Sequence, residues 1–144
     1  MWDHLVHTQP EVVVDRSNGD VACDSYHLWR RDLEMATELG LDTYRMSISW
    51  PRLLPNGFPN KISEDGKRYY TDVIDGLLAR GIQPIVTIYH FDLPQILQDL
   101  GGWANPLIVD WFADYARVVF SLFASKIKIW LTINEPFGVC DGGY

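Results

Sequence analysis

A chain of 144 residues with 47% apolar content carries enough hydrophobic surface to build a core, and its formal net charge of −7 leaves no basic face for nucleic acid. No apolar run reaches the ~20 residues that cross a bilayer. Met1-Trp2-Asp3-His4 lacks the basic start and apolar core of a signal peptide, and the sequence leaves compartment and oligomeric state open.

The stretch up to Cys23 reads as loop, with Gln9-Pro10 and the turn-forming run from Asp15 through Ser17, Asn18 and Gly19 to Asp20. Asp24 or Ser25 is placed to cap a helix whose apolar positions Tyr26, Trp29, Leu33, Ala36 and Leu39 fall on one face. Gly40 is placed to end it. Thr43 to Trp50 then alternates polar and apolar residues, which predicts a strand, closed into a loop by Pro51 and Pro55-Asn56-Gly57. The plan repeats. Ser63-Glu64-Asp65 opens a helix with a stripe of Tyr70, Val73, Ile74, Leu77 and Leu78, Gly81 ends it, and Pro84 to Tyr89 is the β-branched run of a strand buried on both faces. A third helix is expected from Asn105-Pro106, with Ile108, Phe112, Tyr115, Val119 and Phe123 inward, followed by a strand from Ile127 to Ile133. Gly138, Gly142 and Gly143 then read as loop.

Helices alternating with strands across short connections predict a parallel α/β architecture. Three strands do not finish a sheet of this type, and a closed (β/α)8 barrel takes roughly 250 residues. Residues 1–144 therefore read as one partial domain of a larger barrel. Cys23 and Cys140 lack the spacing of a structural zinc site and read as ordinary buried thiols, with a disulfide left open. Asp3, His4 and His7 have no convincing metal-ligand spacing, and no glycosylation sequon occurs. The 13% of aromatic residues suits a large core and a sugar-binding cleft equally.

The chemistry concentrates at two strand ends. The pentad Thr132-Ile133-Asn134-Glu135-Pro136 follows the apolar run Ile127-Lys128-Ile129-Trp130-Leu131, so an amide and a carboxyl stand at the mouth of a sheet, where a carboxyl is expensive unless used. The run from Ile85 to Tyr89 ends similarly in His90-Phe91-Asp92. Together they predict a pocket that binds hydroxyl-rich molecules and donates protons.

Five ordered segments carry a resemblance over nearly the whole chain. They are residues 18–27 (NGDVACDSYH), 44–52 (YRMSISWPR), 89–94 (YHFDLP), 100–103 (LGGW) and 130–136 (WLTINEP). In these the chain resembles the family-one glycoside hydrolases, which include β-glucosidases, myrosinases and lactase-type enzymes. The resemblance implies strands two to four of a (β/α)8 TIM barrel and a retaining O-glycosidase that takes a β-glycoside as substrate, with no metal and no cofactor. It implies that Glu135 is the general acid/base, its pKa lifted by burial and by a second carboxylate. It implies that Asn134 binds the sugar's 2-hydroxyl, that His90 is a sugar-hydroxyl ligand, and that Arg45 supports the nucleophile carboxylate. All four are expected at the C-terminal ends of strands.

The chain also departs from the family pattern. The nucleophile's Thr-Glu-Asn-Gly motif and the first strand with its sugar-binding Gln are absent. Phe91 stands where Trp is common, Met46 where Phe is common, and Ala124-Ser125 replaces a frequent Gly-Asp pair. Bland readings compete at each site. Glu135 is then a first-turn acid with Asn134 as helix cap, His90 a satisfied strand-end histidine, Arg45 a buried ion pair and Asp92 a turn acid. At the level of function, the alternatives are a catalytically dead relative that binds sugar or a protein partner, and a truncated product. With one carboxyl of the two, the isolated chain is expected to hydrolyse nothing and, with open strand edges, to aggregate.

Overall fold

The structure is a computed structural model and describes residues 1–141. Three parallel strands, β1 (Thr43–Ser47), β2 (Gln83–Tyr89) and β3 (Ile129–Ile133), lie side by side in that order. Thr43 to Ser47 pair with Gln83 to Thr87, and Tyr89 pairs with Ile133. Helix α2 (Ser25–Glu38) leads into β1, α4 (Glu64–Ala79) joins β1 to β2, and α6 (Ile108–Phe123) joins β2 to β3.

The best-specified helix is α4. The Ser63 hydroxyl accepts the Gly66 N–H at 3.1 Å, Glu64 and Asp65 sit in the first turn against the positive end of the helix dipole, and Tyr70, Val73, Ile74 and Leu77 are buried. Gly81, at a φ of 75°, reverses the chain into β2. Helix α2 begins at the expected place by a different device. The Asp24 carboxylate bonds the His27 ring at 2.6 Å instead of a helix N–H, and the Ser25 hydroxyl donates to Asp32. Leu39 is 75% exposed, because it follows the last helical residue and turns outward with the chain. Helix α6 starts two residues later than Asn105-Pro106 suggests. The Asn105 side chain accepts the Leu107 N–H at 2.9 Å, so that dipeptide forms the turn leading in.

Four segments correct the sequence reading. The expected N-terminal loop holds α1 (Trp2–Thr8) and a 3-10 turn at Pro10–Val12, and the Trp2 indole N–H donates to the Phe91 carbonyl, a tertiary anchor that no local pattern announces. The turn-forming run that follows is a loop as expected, closed by Asp15 on the Ser17 N–H and Asn18 on the Asp20 N–H. Strand β1 stops at Ser47, short of Trp50, and α3 (Trp50–Leu53) begins with Pro51 in its first turn. The Trp50 ring is fully buried, stacks on Tyr115 at 4.4 Å and donates to the Gly57 carbonyl at 3.0 Å, so its apolar character serves the core and not a strand. Two short helices are also present, α5 (Gln95–Asp99) before a 3-10 turn at Gly102–Ala104, and α7 (Pro136–Asp141), which contains Gly138. Gly142 and Gly143 lie outside the described residues.

One core joins the sheet to α4 and α6 through Ile48, Trp50, Tyr70, Ile74, Val86, Ile88 and Tyr115, and a smaller one seats α2 through Leu33 and Ala36 on Val73, Leu77 and Ile82. The middle strand is buried on both faces from Val86 to Tyr89, as its nearly continuous β-branched run predicts. The flanking strands are not. Arg45 is exposed on β1, and Ile129 and Leu131 are 49% and 37% exposed on β3. Cys23 and Cys140 are exposed free thiols and not buried ones, Cys23 in the loop before α2 and Cys140 near the end of α7. Among the described residues, no helix is long and apolar enough to cross a membrane.

Candidate active site

The two functional strand ends share one backbone design. Tyr89 and Ile133 are paired, so His90 and Asn134 stand one step beyond the pair and Phe91 and Glu135 two steps beyond. Phe91 has a φ of 62° and Glu135 a φ of 44°. The left-handed region costs a residue with a side chain roughly 1–2 kcal/mol. Such strain persists where the surroundings over-determine it, and it gathers at functional sites.

At the first bend, the Asp92 carboxylate accepts the His90 backbone N–H at 3.3 Å and the Phe91 carbonyl accepts the Trp2 indole. The His90 ring is exposed and meets Phe91 edge to face at 5.7 Å. At the second bend, the Asn134 N–H donates to the Tyr89 carbonyl at 2.9 Å, which continues the β2–β3 ladder past its last pair. The Asn134 side chain is buried, and its Oδ1 accepts from the Arg45 guanidinium. The Glu135 carbonyl accepts the Gly138 and Val139 N–H groups at 2.9 and 3.4 Å, so Glu135 itself, and not Asn134, occupies the cap of α7 with Pro136 at the first helical position.

Three of the four expected residues come together. Arg45 and His90 line one open depression with Met46 and Ser47, and Arg45 bridges to Asn134. Glu135 is adjacent in the chain, but its side chain is exposed, so the burial expected around it is not supplied by the described residues. Arg45 also departs from expectation. It is the middle residue of β1, not its C-terminal end, and its long side chain spans the difference. It belongs to none of the ion pairs among the described residues, and its partner is an amide. Because a guanidinium only donates, the atom of Asn134 facing Arg45 is the oxygen, and the amide NH2 is left to donate elsewhere.

A buried polar layer lies beneath these ends. The Tyr115 hydroxyl sits 2.9 Å from both the Ile48 and Ile88 carbonyl oxygens, tying the end of β1 to β2. The Tyr70 hydroxyl accepts the Ser49 N–H at 2.7 Å. Burial pushes the Tyr70 phenol up to about 12 and Tyr115 well above the ordinary tyrosine value, so both stay neutral. Burial also raises Asp92 above the usual carboxylate value, opposed by the bonds from the His90 N–H and the Ser49 hydroxyl. Asp92 is thus a turn acid, as its position predicts, but a half-buried one. The His-x-Asp spacing signals the turn, while the link to Ser49 and Tyr70 is tertiary and leaves no sequence signal. Among the described residues, no three His, Cys, Asp or Glu side chains are grouped to hold a metal ion.

The chain matches the family model described as glycosyl hydrolase family 1 over residues 1–144. It is 51% identical to Myrosinase 1 of Brevicoryne brassicae over 142 residues, which covers 99% of this chain and 31% of that protein. It is 49% identical to β-glucosidase A of Thermotoga maritima over 144 residues, covering all of this chain and 32% of that one. In structure it is similar to an aphid myrosinase, with a TM-score of 0.95 and 52% identity across 98% of this chain and 30% of the other. The chain thus spans about a third of the length of the curated relatives it matches. Its three strands and their helices are a section of a (β/α)8 barrel, open as described, with both bends at the C-terminal ends where such barrels build their sites. The chain belongs to glycosyl hydrolase family 1.

Proposed function

We propose that this chain supplies the acid/base half of a retaining β-glycosidase site, within a single barrel domain of which residues 1–144 are part. Glu135 protonates the leaving oxygen and then, as base, deprotonates the water that releases the sugar. The observation that supports this most is the Asn134–Glu135 bend. Arg45 occupies the acceptor of Asn134, which leaves its NH2 as a donor for a sugar hydroxyl. The next residue is a carboxyl held on a left-handed backbone at the strand end. His90, exposed beside Arg45, is a second hydroxyl ligand. Asn134 as a donor to the 2-hydroxyl strengthens an oxocarbenium-like transition state, and a second carboxylate about 5–5.5 Å from the acid acts as nucleophile. The mechanism calls for no metal or cofactor. No Thr-Glu-Asn-Gly motif occurs in these residues, so the isolated chain holds one of the two carboxyls and hydrolyses nothing.

The test is Glu135→Gln in the gene product that carries this chain. General acid catalysis contributes about 10²–10⁴-fold. The rate on alkyl β-glucosides is expected to fall by that factor, while activated aryl β-glucosides, which need little protonation, are largely spared in glycosyl transfer. Equal loss for every leaving group removes Glu135 from the acid role.

A further inference from the structure

We infer that Asp92 is a positioning residue for His90, its carboxyl accepting the His90 backbone N–H so that the imidazole is held in the depression it shares with Arg45. The inference deepens the site proposed above and rests on His90 being a substrate ligand there.

Asp15 and Asn18 close surface turns by accepting the N–H two residues ahead, whereas Asp92 reaches back to the N–H two residues behind it. Its carboxyl is half-buried, a costly choice for an acid whose only duty is to end a strand. His90 follows β2, and the Ser49 hydroxyl that opposes the rise in the Asp92 pKa follows β1. Ser49 is itself fixed, because its N–H donates to the buried Tyr70 hydroxyl of α4. Asp92 therefore stands between the His90 backbone and a loop that a core helix holds. Between His90 and Asp92 stands Phe91 in its left-handed conformation, which needs such a clamp to persist. The Trp2 bond to the Phe91 carbonyl fastens the same bend from the other side.

The experiment is a double-mutant cycle on the full-length gene product, with an aryl β-glucoside as probe. Asp92→Ala is expected to lower kcat/KM about tenfold, the scale of one well-placed hydrogen bond. In a His90→Ala background the same change is expected to lower it by less than about twofold, because the group it positions is gone. Asp92→Asn is expected to remain within about twofold of the parent, since its amide oxygen still accepts the His90 N–H. If Asp92→Ala does not fold, Asp92→Glu takes its place with the same expectation, as it keeps the carboxyl but moves it by one methylene. Equal effects of the Asp92 change with and without His90 overturn the proposal and leave the reading of His90 standing. His90→Ala without any loss of kcat/KM overturns that reading, and the proposal with it.

Discussion

The bends after β2 and β3 solve the same problem with different support. Each turns through a left-handed non-glycine residue two steps past the Tyr89–Ile133 pair. The bend after β2 follows a strand with a neighbour on both sides, and the Asp92 carboxylate and Trp2 indole fasten it. The bend after β3 follows an edge strand, leaves Glu135 exposed, and depends on the Arg45–Asn134 bond and the short helix α7. A strand in a closed barrel has two neighbours. The half of the site proposed to carry the proton is thus the half whose surroundings are least supplied by these residues.

The largest test of this contrast lies in the strands themselves. Ile88→Ala, at a fully buried position of β2, is expected to cost the full-length gene product about 2–5 kcal/mol in chemical denaturation. Leu131, 37% exposed on β3 here, is expected to behave as a core residue once the barrel covers it, with Leu131→Ala costing at least about 2 kcal/mol. A cost below about 0.5 kcal/mol breaks the account of β3 as an interior barrel strand. Next in size is Arg45→Ala, which strips the buried Asn134 oxygen of its charged donor and is expected to lower transition-state stabilisation by about 1.5–3 kcal/mol, read as kcat/KM. Arg45→Lys is expected to restore little, since an ammonium lacks the reach and planar fork of a guanidinium. An Arg45→Ala variant with unchanged kcat/KM would show that the bond carries no function.

The smallest effect is pH-dependent. Burial raises Asp92 above its unfolded value of 3.8, so between 3.8 and the raised value the folded state keeps a proton that the unfolded chain has lost. Stability contributed at this site falls as pH climbs through that window. Asp92→Asn has no proton to lose, so its stability relative to the parent is expected to rise with pH across the window and level off above it. A difference that stays flat with pH, measured by denaturation midpoints, contradicts the burial of this group.

The sequence makes the layout of this fold legible because α2, α4 and α6 each carry an inward apolar face and the β2 run is continuous. Where local pattern misleads, neighbours decide: Trp2 and Trp50 are placed by tertiary bonds to Phe91 and Gly57, while Leu39 leaves the helix that its spacing suggests. The site divides in the same way. His90, Asn134 and Glu135 are readable because polar residues interrupt apolar runs at strand ends. The location of Arg45 within β1, the pairing of its side chain with an amide, and the burial of Asp92 depend on neighbours brought from other strands.

The most direct test is an experimental structure of the gene product that carries this chain, with the distance measured from the Glu135 carboxyl to the nearest carboxylate across the barrel mouth. The account predicts a second carboxylate at about 5–5.5 Å, the separation of a retaining pair. A separation of about 6.5–9.5 Å, which leaves room for an inverting water, or no second carboxylate at all, contradicts it.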